Sequence, residues 1–103
     1  MSERKLPWTP IEVEPSRSEL EIAFETTAYD SDLRVDVRET ARTVRISIHA
    51  SWNPPVGNWF SYTTLERRTV QFAKSLGTRK LVGRSVHGRR GPRLDTPRRA
   101  PND

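Results

Sequence analysis

The segment YTTLERRTVQFAKSLG, residues 62–77, decides the fold class. It fits two periods at once. As a helix it has Thr63 at the N-cap and Glu66 three residues later, a capping-box spacing. Leu65, Thr69, Phe72, Ala73 and Leu76 would then share one face, and Gly77 would end the helix. As a strand, Thr69–Phe72 alternates, with Val70 and Phe72 turned inward. Arg79–Val86 would follow as a last strand after a turn at Leu76–Thr78. The local pattern alone slightly favours the helix, so the choice passes to the surrounding sequence.

The upstream half reads as strands. In ELEIAFE, residues 19–25, Leu20, Ile22 and Phe24 alternate with Glu19, Glu21 and Glu25, which gives one buried and one wet face. TTAYDSD, residues 26–32, interrupts with turn formers. Leu33, Val35 and Val37 then alternate with Arg34, Asp36 and Arg38. Val44, Ile46, Ile48, Ala50 and Trp52 continue the inward parity in the next run. The link from Glu39 to Arg42 is short enough for an antiparallel hairpin. Setting Val37 against Val44 places Val35 against Ile46, Leu33 against Ile48 and Asp36 against Arg45. Such an opposite-charge pair stabilises by roughly 0.2–1 kcal/mol. A one-residue slip would turn the charges inward, so the register is expected to be firm.

The flanks differ. Residues 1–18 carry Pro7, Pro10 and Pro15. That density opposes a helix or a central strand and predicts an extended arm, anchored by Trp8, Ile11 and Val13, with room for an edge strand. Residues 87–103 hold five arginines, three prolines and one large apolar residue, Leu94. Such a segment cannot offset its ordering entropy and reads as a disordered basic tail. The folded domain is thus expected over residues 19–86. Apolar residues make up 33% of the 103-residue chain, below the usual ~45–50%. Their clustering and periodicity still argue for one small folded domain.

Two stretches resemble a group of small, uncharacterised actinobacterial β domains, often secreted proteins or lipoproteins. VDVRETARTVRISI, residues 35–48, is similar to their V-x-V-x-E-T hairpin, with Glu39–Thr40 at the matching pair. TVQFAKSLGTRKLVGRSVHG, residues 69–88, is similar to their C-terminal V-x-L-x-x-P-L-G-x-R-x-V signature at Val70, Phe72, Leu76, Gly77, Arg79, Leu81 and Gly88. The likeness covers about Trp8 to Gly88. It departs in lacking the two usual cysteines, in having Ser75 for proline and in having Gly83 for aspartate. The resemblance implies a β fold and tips residues 69–72 towards strand. It implies no activity. The expected architecture is all-β, a small antiparallel sandwich of about five or six strands. The alternative is α+β with one helix at about 63–76.

Function is less legible. The chain has no cysteine, which excludes disulfides, thiolate metal sites and a cysteine nucleophile. The charged MSERKLPW start suggests no signal peptide, and no apolar run reaches the ~20 residues that span a bilayer. A cytoplasmic, membrane-free setting is the expectation. His49 and His87 do not form a recognisable ligand set, no nucleophile motif is present, and neither metal, cofactor nor enzymatic activity is expected.

Two binding readings remain. Trp52, Trp59, Phe60 and Tyr62 surround the proline break at Pro54–Pro55. They either seal one end of the sandwich or present a patch to a protein partner. The second reading is electrostatic. Residues 1–39 hold ten acids and five bases, whereas residues 40–103 hold thirteen bases and three acids. Arg67, Arg68, Lys74, Arg79 and Lys80, with Arg89, Arg90, Arg93, Arg98 and Arg99 of the tail, are candidate phosphate contacts. The leading expectation is a non-enzymatic protein-interaction module that uses residues 52–62 and a sheet edge. The alternative is a nucleic-acid-binding accessory protein.

Overall fold

Residues 64–71 form a strand. The computed structural model describes residues 2–57 and 62–94, and all seven regular elements in them are strands: β1 (Ser2–Leu6), β2 (Trp8–Glu12), β3 (Glu19–Thr26), β4 (Asp30–Glu39), β5 (Thr43–Trp52), β6 (Thr64–Gln71) and β7 (Lys80–Val82). β6 pairs with β3 along its whole length, from Thr26 opposite Thr64 to Glu19 opposite Gln71. That long-range ladder overrides the capping signal at Thr63, as tertiary context commonly overrides local propensity. Strand parity buries Val70 on β6 and Phe72 just after it, and turns Leu65 outward.

The strands form a sandwich of two sheets. One has the order β1-β5-β4, with β7 also paired to β5; the other has the order β2-β3-β6. The β5–β7 pair is parallel, and every other strand pair is antiparallel. The core is assembled from the alternating residues read above: Leu20, Ile22 and Phe24 of β3 against Val44, Ile46 and Ile48 of β5. Leu33, Val35 and Val37 also turn towards it but are only half-buried, because β4 is an edge strand.

The hairpin register differs by two residues from expectation. Val37 faces Ile46, Asp36 faces Ser47, and Arg45 faces Arg38. The turn explains the difference. Thr40 donates its N–H to the Thr43 carbonyl at 2.8 Å. Its hydroxyl accepts from the N–H groups of Arg42 at 3.2 Å and Thr43 at 2.9 Å. Threonine hydroxyls hold turns in this way, and here the tip lies at Ala41–Arg42 rather than Thr40–Ala41. Both registers bury the same parity, so alternation alone does not separate them.

The expected N-terminal arm is largely two strands of the sandwich. β1 and β2 are successive stretches of chain that join different sheets, with buried Pro7 at the crossing. Sandwich corners are made by strands that switch sheets at a bend. Proline is tolerated there because no ladder N–H is required. Pro10 lies on edge strand β2 beside a register irregularity. Residues 15–18 are tied down as well: their carbonyls accept from Phe72, Leu76 and Gly77 at 2.8–2.9 Å.

Trp8, just past the crossing, is fully buried. β1 and β7 share one edge of β5 end to end, β7 reaching Arg45 and β1 beginning at Ile48. The gap falls at Ile46–Ser47. There the Trp8 indole N–H donates to the Ile46 carbonyl at 2.9 Å. Gly83 leaves β7 at the same place with φ +96°, and any Cβ on it would strike the Ile46 carbonyl. Only glycine combines this backbone conformation with that approach.

The segment expected to be disordered from residue 87 is ordered as far as Leu94. From Gly83 the chain runs back along the molecule as a strap. Arg84 accepts at its carbonyl from the Trp8 N–H at 3.0 Å. Val86 and Arg89 close a tight turn through paired backbone bonds of 2.9 Å, with His87 and Gly88 at positive φ. Gly91 lies flush against the Trp8 backbone, and the Thr9 hydroxyl donates to the Pro92 carbonyl at 2.6 Å. The strap is held by backbone packing rather than by apolar side chains, which its composition could not reveal. Residues 95–103 lie outside the described residues.

Candidate functional site

One end of the sandwich is sealed by a charged cluster. Arg4 has inward parity, opposite Ala50. Its guanidinium lies 4.0 Å from the centroid of the Trp52 ring and donates to both oxygens of Asp30 at 2.8 and 2.6 Å. Tyr29 meets Trp52 edge-on at 6.2 Å. Trp52 therefore belongs to the seal, stacked by a cation–π contact. Trp59 and Phe60 lie outside the described residues. Tyr62 is 79% exposed, and fully exposed Val56 and half-exposed Leu65 flank the same connection.

A second polar hub joins the Glu39–Thr40 turn to residues 73–79. The Arg79 side chain is only 7% exposed. It donates to Glu39 at 3.0 Å and to the Thr40 carbonyl at 3.3 Å. It also donates to the carbonyls of Lys74, Ser75 and Leu76 at 3.0, 2.9 and 3.2 Å. Glu39 further accepts the Ala73 N–H at 2.7 Å. The rigid donor fork of arginine is saturated here. Arg79, expected as a phosphate contact, is instead an internal brace.

Both carboxylates are held below their ordinary range. For Asp30, burial pushes the pKa upward, but the Arg4 hydrogen bonds and charge and the Thr27 N–H and hydroxyl together outweigh it. For Glu39 the Ala73 N–H is the largest influence and lowers it; partial desolvation opposes, and Arg79 lowers it further. A lowered folded-state pKa stabilises above the ordinary carboxylate range and is lost as pH falls through it. The melting temperature should therefore hold between pH 7 and 5 and fall progressively below about pH 4. Thermal scans by circular dichroism check this. Asp30→Asn should be less stable at pH 7 and should flatten the acid limb.

The remaining cations separate by face. The outer face of β3 carries Glu19, Glu21 and Glu25, with Arg67 opposite Ala23 as a cation on the neighbouring strand. Arg68 lies at the opposite parity, aligned with Ile22. Exposed Lys80 opens β7. Arg84, Arg89, Arg90 and Arg93 are exposed along the strap. Arg98 and Arg99 lie outside the described residues.

Beneath the Val86–Arg89 turn is a cleft of about 650 Å³. Its floor is the outer face of β5 and β1, with Arg45, Ser47, His49 and Lys5; its wall carries Ser85, His87 and Arg89. Arg4 and Glu3 reach its rim but are engaged with Asp30 and Arg34. Among the described residues, Lys5, Arg45 and Arg89 have no ion-pair partner. Comparisons with protein-family models, curated proteins and solved structures give no match. Lys5 and Arg45 are absent from the sequence-based candidates because an exposed alternating cation looks the same whether solvated or convergent. Their proximity depends on the β1–β5 pairing, across some forty residues of chain.

Proposed function

We propose that the protein is a non-enzymatic binding module that contacts the phosphate backbone of a nucleic acid without reading its sequence. The observation that carries this is the segregation of charge. Three glutamates occupy the outer face of β3. Lys5, Arg45 and Arg89 line the cleft on the outer face of β5, and Arg84, Arg90 and Arg93 line an adjoining groove beside Trp8 and Thr9. Such a polarity steers a polyanion to one side of a small domain. No row of exposed aromatic side chains accompanies these cations among the described residues, so the reading supports phosphate contacts rather than base stacking.

The test is oligonucleotide affinity across a salt series. Affinity should fall linearly on logarithmic axes, by about 0.7 per neutralised phosphate for single strands. Replacing Arg84, Arg90 and Arg93 together by alanine should flatten that slope by about two. Arg67→Ala on the acidic face should change nothing. A slope indifferent to the triple replacement would defeat the proposal. A second reading has its own support. Three of the four exposed large apolar side chains among the described residues, Val56, Tyr62 and Leu65, flank the β5–β6 connection. Absence of oligonucleotide binding would move the assignment to a protein partner there.

A further inference from the structure

We infer that the cleft under the Val86–Arg89 turn is a discrete phosphate-binding site, shaped for one phosphoryl group flanked by Lys5, Arg45 and Arg89. This deepens the polyanion reading and rests on it for the class of ligand. It arises, however, from different observations.

The first observation is a cost visible in the register. Arg45 stands directly across from Arg38. Like charges directly opposite in an antiparallel pair destabilise it. Asp36 lies 3.2 Å from Arg38 and so offers that arginine a partner, while Arg45 is left with none. A fold selected for stability alone would place a carboxylate or a neutral residue at position 45. Local rules broken without compensation concentrate at functional sites.

The second observation is convergence. Lys5 comes from β1, Arg45 from β5 and Arg89 from the strap, and all three line one cleft. Ser47 and Ser85 add hydroxyl donors, and the rings of His49 and His87 line the same space. A planar guanidinium presents two parallel donors to phosphate oxygens, while an ammonium supplies a compact charge. The volume of about 650 Å³ lies within the usual range of small-ligand sites. It exceeds what a bare phosphate needs and leaves space for the group esterified to it. That group is either a small molecule or the next sugar of a strand. The chemistry recognised is the same in both cases.

The third observation is how the wall is built. The turn reverses within two residues at positive φ, His87 and Gly88, and its paired backbone bonds fix Arg89 relative to Val86. A pre-set wall lowers the ordering cost of binding.

The experiment titrates the full chain with inorganic pyrophosphate at constant ionic strength, following amide shifts by NMR and the melting temperature. Pyrophosphate should shift amides of Lys5, Arg45–His49 and Ser85–Arg89 and raise the melting temperature. Arg45→Ala should weaken binding at least tenfold, and Arg45→Gln should do the same. Without anions both variants should be as stable as the parent or more so, because a like-charge pair is removed. Arg93→Ala, outside this cleft, should bind pyrophosphate as the parent does. Equal responses in the parent and both Arg45 variants would overturn the site. So would lowered stability of those variants without anions, which would make Arg45 structural. Oligonucleotide binding with no pyrophosphate response would remove the discrete site and leave the polyanion reading intact. A pyrophosphate response without oligonucleotide binding would do the reverse, and would identify the ligand as a small phosphate ester.

Discussion

Replacing Trp8 by alanine should lower the melting temperature by roughly 15–30 °C. Trp8 is fully buried, and truncating a buried tryptophan costs about 3–5 kcal/mol. Each kcal/mol shifts the midpoint of a domain this small by about 4–8 °C. The total stability of such domains is only about 5–15 kcal/mol, so a measurable unfolded fraction at 37 °C is expected. The indole does more than fill space, because its N–H satisfies the Ile46 carbonyl in the gap between β1 and β7. Trp8→Phe separates the two roles. It keeps most of the ring but leaves that carbonyl unpaired, at about 1–3 kcal/mol. Thermal melts and urea titrations of both variants check the ranking. An alanine variant within a few degrees of the parent would contradict the placement of Trp8 in the core.

Arg79→Ala should be the second large loss, on the order of 3 kcal/mol, because several backbone carbonyls lose a charged donor together. Arg79→Lys should recover less than half of it. A compact ammonium with three donors cannot span Glu39, the Thr40 carbonyl and the 74–76 carbonyls as the guanidinium does. Glu39→Gln should be nearly silent when made on top of Arg79→Ala, since the two share one network. Oligonucleotide affinity per folded molecule should be unchanged in Arg79→Ala. Full stability with weakened binding would return Arg79 to the surface site.

The strands of this sandwich are unequally legible in the sequence. Strands β3, β4 and β5 are legible because strict alternation over seven or more residues has no competing interpretation. The β4–β5 register is not, since Val37 can face Val44 or Ile46 with equal burial and the hydroxyl of Thr40 makes the choice. β1 and β2 are obscured by prolines, although Pro7 sits where the chain changes sheet and Pro10 sits on an edge. The strap is obscured because what orders it is the Trp8 backbone, the Thr9 hydroxyl and a glycine contact, none of which leaves an apolar signal. Of the candidate residues, Arg89 lines the cleft with Lys5 and Arg45, and Arg90 and Arg93 line the adjoining groove beside Trp8. Arg79 is internal, Arg67 faces the acidic side and Trp52 is stacked into the end seal. The floor of the cleft could be found only by knowing which strands pair.

β6 ends its sheet. Its inward parity reads Glu66, Arg68, Val70, aligned with Phe24, Ile22 and Leu20 of β3. Only the last of the three is apolar, so the inner stripe of the sandwich stops short at this border. β6 is the outermost strand of its sheet, and its free backbone groups could template another chain. Charges placed under an edge strand are a known defence against such pairing, because any added strand would have to bury them. Glu66 and Arg68 are charges of this kind and oppose edge-to-edge pairing. The cost is apolar burial given up at two positions of the inner face.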